Sequence, residues 1–372
     1  MPISATADQK QTYFMSEALK EGLKGRYISP PNPWVGCVIV KHGEIISRGH
    51  TQSIGNPHAE LMALQSAGKE AQGSTVYVTL EPCPNFGNTP PCTEALIKAG
   101  VQKVVIGILD PDPSVRGKGI AKLQQAGIEV EVGALSEEVR ASLLPYCHQR
   151  ETGLPFCILK AAVSMDGKIA ARDGSSFWIT GSAAREDVHL MRAASQAILV
   201  GTKTVLEDSP KLTVRDVDLT AFNPPIRILL DAKGRIHPKG PLFDTKIAPT
   251  MIVTSSEVSE TRKQEWLNCG CEVVVMPLNE SKSGLDLKKL LRFLGDRGIL
   301  QLLVEGGSQV FSSLIHDKLI NKLVIYMGSC LLGAEGVSLI SKLKLDNIDD
   351  AIRMHLKDFN RLGQDLRLDY TL

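Results

Sequence analysis

The chain has 372 residues, of which 43% are hydrophobic and 22% are charged, as in ordinary globular proteins large enough for two domains. Its 42 basic and 41 acidic side chains give a formal net charge of +1, which lacks the basic character of a dedicated nucleic-acid binder. Neither a signal peptide nor an apolar run long enough to span a membrane is expected, so the eight cysteines should be reduced thiols in the cytoplasm.

The first part of the chain alternates between predicted helices and strands. The alternation predicts a three-layer α/β/α domain with some parallel strand pairing. In chain order, the predicted elements are a helix over 12–24, strands at 35–40 and 44–48, a helix opened by Pro57, a strand at 75–80, a helix over 91–99, a strand at 103–109, a helix over 119–126 and a strand at 128–132.

A polar to amphipathic connector over 136–153 separates this part from the rest, and we place the domain boundary between residues 150 and 151. Apolar runs then recur with helix-like stretches between several of them, which predicts a second α/β domain over 151–372. These runs lie at 156–164, 197–201, 226–231, 251–255, 272–276, 301–307 and 322–328.

Residues 57–92 contain a metal-binding pattern. His58, Cys83 and Cys92 are the ligand types of a catalytic zinc site that leaves a fourth position open. Predicted helix starts at His58 and Cys92 favour the deprotonated ligands. Glu60 is not needed as a ligand and could carry protons in a deamination, while zinc would acidify a water molecule. A structural zinc or simply buried cysteines are the alternatives.

The second part carries weaker signals. Gly306 and Gly307 lead from a predicted strand into a helix whose N–H groups and serine hydroxyls could cradle a phosphate, although such a turn is most often only a turn. Trp178 could stack on a nicotinamide or cap the core. No dinucleotide-binding Gly-x-Gly-x-x-Gly pattern occurs. Three charged residues would by default be solvated: Arg192, Asp208 and Arg215.

The spacing of the cysteines narrows the class of deaminase. Eight residues separate Cys83 from Cys92, whereas nucleic-acid and cytidine deaminases usually have Cys-x-x-Cys. The stretch EPC–FG–TPPC resembles the pyrimidine deaminase of riboflavin biosynthesis, and the resemblance covers residues 10–150. It extends to PNPWVGCVIV (31–40), GHTQSIGNPHAE (49–60) and ILDPDPSVRGKGIAKLQQAGIEV (108–130).

The second part resembles the reductase half of the same bifunctional family, which has a dihydrofolate-reductase-like fold. The resemblance runs from about residue 154 to the C-terminus. It rests on LKAAVSMDGKIA (159–170), SSFWITG (175–181), VHLMRAASQAILVGTKTVLEDSPKLTVR (188–215), PIRILLD (225–231) and LLVEGGSQVFSSLI (302–315).

The resemblance implies a bifunctional enzyme. Its first half would have a cytidine-deaminase-like fold with one zinc ion and would deaminate 2,5-diamino-6-(5-phosphoribosylamino)pyrimidin-4(3H)-one. Its second half would use NADPH to reduce the ribosyl group of 5-amino-6-(5-phosphoribosylamino)uracil to ribityl. The partner is then a phosphorylated pyrimidine, with no nucleic acid or membrane, and we expect a homo-oligomer, either a dimer or a tetramer.

The resemblance also implies roles for individual residues. In the deaminase, His58, Cys83 and Cys92 would bind zinc, Glu60 would be catalytic, and Asn32 and His50 would bind the pyrimidine. Asn32 could instead be only a turn residue. In the reductase, the expected substrate contacts are Lys160, Ser176, Arg192, Leu212, Arg215 and Glu305. The expected cofactor contacts are Ala162, Trp178, Thr204, Asp208, Gly307, Ser308, Gln309, Val310, Phe311, Ser312 and Ser313.

The chain departs from the family pattern at several positions. Asn85 and Asn88 stand where the family commonly has His and a cation, and Asp112 stands where it has Asn. Ser209 replaces a second Asp after Asp208. A lost cation and an added anion could weaken the grip on a phosphorylated substrate. We therefore expect an active deaminase with altered substrate contacts.

Two other functions fit parts of the pattern. One is a deaminase acting on nucleic acid, with the C-terminal half as a binding module; the net charge and the missing Cys-x-x-Cys disfavour it. The other is a catalytically silent, metal-bound interaction protein, which the intact set of His58, Glu60, Cys83 and Cys92 disfavours.

Overall fold

A computed structural model describes residues 6–87, 90–341, 343 and 345–372. The chain divides into two compact units, Met1–Gly153 and Leu154–Leu372. Within the described residues, no helix has both the length and the apolar character needed to cross a membrane.

The first unit contains six α-helices and five strands among its described residues. In chain order, these are α1 (Ala7–Leu23), β1 (Gly36–Lys41), β2 (Glu44–His50), α2 (Ala59–Ala67), β3 (Thr75–Leu80), α3 (Cys92–Ala99), β4 (Lys103–Ile108), α4 (Lys118–Gln125), β5 (Glu129–Val132), α5 (Ser136–Ser142) and α6 (Leu144–Thr152). A 3₁₀ turn covers Gly68–Ala71. The segment 136–153, predicted as a connector, forms the two helices α5 and α6. Val139 and Tyr146 bury apolar side chains from these helices, one from each.

The five strands form one sheet in the order β2-β1-β3-β4-β5. The pairs β3–β4 and β4–β5 are parallel, and β1 is antiparallel to both neighbours. Gly36 pairs with His50 and Cys37 pairs with Gly49, so the two glycines face opposite sides of the sheet. A Cβ at Gly36 would lie 1.8 Å from the backbone of α1, and one at Gly49 would lie 2.3 Å from that of α2. Helices thus cover both faces, as the alternation of elements predicts.

The second unit contains five α-helices and eleven strands among its described residues. In chain order, these are β6 (Phe156–Ser164), β7 (Lys168–Ala170), α7 (Ser182–Ala193), β8 (Ala197–Gly201), α8 (Thr202–Asp208), β9 (Ile226–Leu230), β10 (Thr250–Thr254), α9 (Glu260–Asn268), β11 (Glu272–Val275), α10 (Leu287–Asp296), β12 (Gln301–Gly306), α11 (Ser308–His316), β13 (Lys322–Gly328), β14 (Val337–Ser338), β15 (His355–Leu362) and β16 (Asp365–Thr371). Short 3₁₀ turns cover Pro241–Phe243 and Ile348–Asp350.

Nine strands form a second sheet in the order β11-β10-β9-β8-β12-β6-β13-β16-β15, and β7 pairs with β14. The pairs from β11 to β13 are parallel, and β16 is antiparallel to β13 and β15. Leu159 belongs to a core shared with α10 and α11, whereas Ile158 belongs to a core shared with α7 and α9. Helices therefore cover both faces of the parallel part, as its nearly continuous apolar strands require. The sequence did not predict the β15–β16 hairpin, because the side chains of β15 are mostly exposed and polar.

Candidate active sites

Two helix starts and one strand end position the predicted metal ligands. His58 is the N-cap residue of α2, with an extended backbone, and Pro57 precedes it. Cys92 is the first residue of α3, and Cys83 follows β3. Prolines stiffen helix starts, and the partial positive charge of a helix N-terminus favours a thiolate. The local sequence therefore accounts for the position of each ligand.

The geometry of these three residues fits zinc. Their ligand atoms all lie within 4.8 Å of one another. His58 Nδ1 lies 3.4 Å from Cys92 Sγ and 3.7 Å from Cys83 Sγ. Tetrahedral zinc with bonds of about 2.3 Å to sulfur and about 2.0 Å to nitrogen separates such ligands by roughly 3.6 Å.

The thiols of Cys83 and Cys92 have very different pKa values. Hydrogen bonding from Cys92, and then from His58, lowers the pKa of Cys83 to about 4. The hydrogen bond to Cys83 and burial raise the pKa of Cys92 well above the ordinary value. Zinc takes its cysteine ligands as thiolates, so a divalent cation at this point would favour deprotonation of Cys92 as well.

Glu60 lies in the first turn of α2 and is only 4% exposed. Burial raises the pKa of its carboxyl group to about 7, and the negative charge of Cys83 adds to this effect. Its carboxyl group also contacts the thiol of Cys92. A carboxyl group that titrates near neutral pH can both accept and donate a proton, as general acid–base catalysis requires.

Glu81 lies two residues before the metal-binding Cys83 and holds a neighbouring segment in place, and sequence reasoning missed it. Its buried carboxylate accepts hydrogen bonds from four backbone N–H groups. The donors are Asp110 (3.3 Å), Gly117 (3.0 Å), Gly119 (3.0 Å) and Ile120 (3.3 Å). The segment 110–120 is thereby fixed against the residue two positions before Cys83. The available signal was an acid directly before a proline and a metal-binding cysteine.

The two predicted pyrimidine contacts lie in the first unit. Asn32 follows the prolines. Its N–H donates to the carbonyl of Ser29, and its carbonyl accepts a hydrogen bond from the Ser29 hydroxyl. His50 ends β2, and its Nδ1 lies 2.9 Å from Glu21 Oε1 on α1. Neither contact ties these residues to the zinc ligands, so their role in pyrimidine binding stays a prediction.

The unusual residues of the first unit have structural partners. Asn85 donates a hydrogen bond to the carbonyl of Ser114, at 3.2 Å. Asp112 accepts a hydrogen bond from the Ser114 N–H and lies 3.5 Å from Arg150 Nε. The anion at Asp112 is thus partly neutralised within the unit by the positive charges of Arg150 and Lys118. Asn88 lies outside the described residues.

The second unit has a cavity of about 450 Å³. It opens at the carboxyl ends of parallel strands β6, β12, β8 and β9, where ligands bind in open α/β sheets. A Cβ at Gly306 would lie 2.8 Å from Thr204 Oγ1, so this strand end requires glycine. Fourteen of the seventeen predicted reductase residues line the cavity: Lys160, Ala162, Ser176, Arg192, Thr204, Asp208, Leu212, Glu305, Gly307, Ser308, Gln309, Val310, Phe311 and Ser313.

A charged cluster lies within the cavity. Arg192 binds Glu305 through two hydrogen bonds, of 2.5 and 2.8 Å, and Lys160 Nζ lies 3.7 Å from the same carboxylate. Burial opposes ionisation of Glu305, but the two cations outweigh it and lower the pKa to about 2. Burial, together with the charge of Arg192, lowers the pKa of Lys160.

Three predicted contacts do not line this cavity. The ring of Trp178 is 73% exposed at a neighbouring depression, where the Arg185 guanidinium lies 4.3 Å from it. Ser312 faces away, because its hydroxyl binds Ser341. The Arg215 side chain lies 3.4 Å from Asp216. The roles of these three residues at the cofactor and the substrate stay predictions.

The role of His189, on α7, was not predicted from the sequence. It is 4% exposed, and its Nδ1 accepts a hydrogen bond from the Arg215 N–H, at 3.3 Å. Arg192, three residues further along α7, donates to the carbonyl of Thr213 at 3.0 Å. Burial and the nearby arginines lower the pKa of His189 to about 4, so the ring stays neutral and its Nδ1 stays an acceptor. Two side chains of one helix thereby hold the segment before Arg215.

Comparisons with known proteins found a family match in each unit. Residues 8–108 match the cytidine and deoxycytidylate deaminase zinc-binding region, and residues 155–368 match the RibD C-terminal domain. Riboflavin biosynthesis protein RibD of Chlamydia trachomatis is 46% identical over 91% of this chain and 89% of its own. The Escherichia coli RibD is 40% identical, covering 96% of this chain and 98% of its own.

The chain belongs to the RibD family. The structure of Acinetobacter baumannii RibD superposes with a TM-score of 0.90 at 36% identity, over 98% of this chain and 99% of that one. A Thermotoga maritima diaminohydroxyphosphoribosylaminopyrimidine deaminase/5-amino-6-(5-phosphoribosylamino)uracil reductase gives 0.86 at 34% identity, over the same shares of the two chains.

The family membership confirms several predictions. The protein is a bifunctional deaminase and reductase of riboflavin biosynthesis that uses zinc and NADPH. The cytidine-deaminase-like and dihydrofolate-reductase-like folds are also confirmed. The hypothesis of a deaminase acting on nucleic acid is not favoured.

Proposed function

We propose that the first unit deaminates 2,5-diamino-6-(5-phosphoribosylamino)pyrimidin-4(3H)-one. We propose that the second unit then reduces the ribosyl group of the product, 5-amino-6-(5-phosphoribosylamino)uracil, to ribityl. The observation that carries the first step is the convergence of His58, Cys83 and Cys92 beside the buried Glu60. The name of the Thermotoga protein, which contains both reactions, supports the choice of substrates.

In the deaminase site, His58, Cys83 and Cys92 would hold the zinc ion. When bound, zinc supplies the Lewis acidity that makes water nucleophilic at neutral pH. Glu60 takes the proton that water loses as it attacks the amine-bearing ring carbon. The same carboxyl group then donates that proton to the departing amine, so that ammonia leaves and Glu60 returns to its starting state.

In the reductase site, NADPH when bound supplies the hydride for C1′ of the opened sugar. Arg192 and Glu305 present a rigid, charged surface to the substrate, because their paired hydrogen bonds fix both side chains. Lys160 lies beside them with a lowered pKa, so its ammonium group can release a proton to a sugar oxygen. The N-terminus of α11, after Gly307, suits the diphosphate of the cofactor.

We assign the deaminase to residues 1–150 and the reductase to residues 151–372. The compact units Met1–Gly153 and Leu154–Leu372 support this division. The remaining assignments of substrate contacts, at Asn32, His50, Ser176, Leu212 and Arg215, follow the family pattern.

We further propose that the enzyme works in the cytoplasm as a homo-oligomer, without nucleic-acid or membrane partners. Its eight cysteines are all free thiols, which suits a reducing compartment. Sedimentation equilibrium of the purified chain tests the oligomer: a dimer or tetramer is expected, and a monomer at micromolar concentration contradicts it.

Oxidation of NADPH by the full chain tests the proposed sequence of reactions. With the diaminopyrimidinone ribotide as substrate, we expect ammonia release together with loss of NADPH absorbance. Glu60→Ala should abolish both signals, yet oxidise NADPH when the uracil compound is supplied instead. Glu305→Ala should release ammonia without oxidising NADPH. If Glu60→Ala still releases ammonia, the proposed mechanism is wrong.

A further inference from the structure

The reductase cavity extends beyond the residues that the family pattern assigns. At one end it is lined by the basic side chains of Lys203, Lys233 and Arg235, together with the polar residues Asn279 and Ser283. At the other end lies the cluster of Lys160, Arg192 and Glu305 described above. The N-terminus of α11 lines the same cavity. One continuous space therefore joins the basic end of the cavity, which suits an anionic ligand, to the charged cluster at the other end.

Sheet topology fixes the order of these features. The adjacent strands β6, β12, β8 and β9 end at the cavity in that order. Lys160 lies on β6, and Lys233 and Arg235 follow β9. Three strand spacings of about 4.8 Å separate the two ends by roughly 14 Å along the sheet. A dinucleotide laid across the strand ends would thus place its two halves at opposite ends of the cavity.

The turn that carries Lys233 and Arg235 is held rigidly. The fully buried carboxylate of Asp231 accepts a hydrogen bond from the Ile236 N–H, at 2.6 Å. The hydroxyl of Thr254 donates to the carbonyl of Asp231, and that of Ser255 donates to the carbonyl of Ala232, both at 2.7 Å. Gly234 has a φ of 68°, which other residues adopt at a cost. The two basic side chains therefore project from a preformed turn.

Their charges are available to a ligand. Lys203 is paired with Glu207, at 3.5 Å, on the same helical face. In contrast, no acidic side chain in the described part of the chain forms an ion pair with Lys233 or Arg235. Asp231, the nearest acid in sequence, is turned inward toward the backbone of the turn. Two unpaired cations at one end of a dinucleotide cavity match the geometry and charge of a phosphate monoester.

We propose that Lys233 and Arg235 bind the 2′-phosphate of NADPH and thereby make the reductase select NADPH over NADH. This inference rests on the proposed placement of the cofactor along Gly307–Ser313. The same turn would contact only the ribose of NADH, which offers no charge to either side chain. The diphosphate, which both cofactors share, would bind at the N-terminus of α11 instead.

Calorimetric binding to the full-length, zinc-loaded enzyme tests the proposal without any turnover. The ligands are adenosine 2′,5′-bisphosphate and adenosine 5′-monophosphate, which differ only in the 2′-phosphate. The variants are Lys233→Ala, Arg235→Ala and their combination. Lys239→Ala is the matched control, because Lys239 is an exposed lysine of the same loop that does not line the cavity.

We expect each single variant to weaken binding of the bisphosphate about tenfold, and the double variant by about a hundredfold, since each loses a charge-assisted hydrogen bond. Binding of the monophosphate should change less than about twofold, and Lys239→Ala should match the wild type. The KM for NADPH should rise in parallel, while that for NADH stays unchanged. These results together support the assignment.

Three outcomes overturn it. Equal losses for both adenosine ligands would mean that these cations hold the 5′-phosphate. Unchanged affinity for the bisphosphate would mean that they do not contact the cofactor. A wild-type enzyme that binds NADP⁺ and NAD⁺ equally tightly would show that no 2′-phosphate site exists. Failure of the reductase with either cofactor would instead contradict the proposed function.

Discussion

The buried pair of Arg192 and Glu305 allows a quantitative prediction. Replacing Glu305 by Gln keeps the shape of the side chain but leaves Arg192 without its counter-charge in a buried position. The difference between an ordinary carboxyl pKa of 4.5 and a folded-state pKa of about 2 corresponds to about 3 kcal/mol of stability at pH 7. Breaking a buried pair by removing one partner typically costs about 3–5 kcal/mol, which agrees. We therefore expect Glu305→Gln to lower the free energy of unfolding by about 3 kcal/mol.

The assay is urea unfolding of the full chain followed by tryptophan fluorescence. Trp266 is fully buried in the second unit, so replacing Trp34 and Trp178 by Phe makes the signal report that unit alone. The double variant Glu305→Gln/Arg192→Met removes both charges and should recover much of the loss, because no unpaired charge remains. Reductase activity should be lost in both variants, while ammonia release is unchanged.

The pH dependence gives an independent check. A carboxyl group whose folded-state pKa is lowered contributes stability that is present above its unfolded pKa and lost as pH falls. The difference in unfolding free energy between wild type and Glu305→Gln should be constant above about pH 5.5. It should shrink by roughly 1 kcal/mol by pH 3.5. A loss of under about 1 kcal/mol at pH 7, or a double variant no more stable than the single one, would refute the reasoning.

Three further predictions concern the other sites. Removal of zinc by a chelator, or Cys92→Ser, should abolish ammonia release but leave NADPH oxidation with the uracil substrate, since the metal-ligand cluster found among the described residues lies in the first unit. Metal content and the two activities check this, and parallel loss of both activities would contradict it. His189→Leu should raise the KM for the uracil substrate about tenfold with little change in kcat, because the Arg215 N–H loses its acceptor. His189→Asn, whose side-chain oxygen can replace Nδ1, should restore it, and a loss in both variants would indicate a general packing effect. Burial raises the pKa of Asp110 to about 6, so its ionisation costs stability as pH rises from about 4 to 6. In urea unfolding of the first unit, Asp110→Asn should therefore gain up to roughly 3 kcal/mol relative to wild type across that range; a constant difference would show that Asp110 does not titrate there.

The zinc site could be predicted because its chemistry is local in sequence. Each ligand lies next to a proline or at a helix start, so the chain sets its direction within a few residues. The cavity residues were found only through the family resemblance. Arg192 and Glu305 lie on different elements, and nothing in the sequence indicates that α7 and β12 bring them within hydrogen-bonding distance.

Side-chain orientation was the limit of the sequence-based predictions. Trp178 and Ser312 were expected at the cofactor, and the structure turns one toward Arg185 and the other toward Ser341. Ser341 lies 29 residues from Ser312, whereas Arg185 is near Trp178 in sequence but lies on α7, and no sequence pattern indicates that α7 places it over the ring. The buried carboxylate of Glu81 was missed for the same reason, because its four donors lie about 30 to 40 residues away.

The contacts of Glu81 have a consequence for how this enzyme can change. Its carboxylate recognises only main-chain N–H groups, so the shape of the segment 110–120 does not depend on most of the side chains that the segment carries. Gly117 and Gly119 are exceptions, since Gly117 has a φ of 76° and a Cβ at Gly119 would lie 2.2 Å from the carbonyl of Pro82. An anion at Asp112 can thus be accommodated without moving the loop. Most side chains of the segment 110–120 can therefore be exchanged one at a time while the main chain keeps its course beside Glu81.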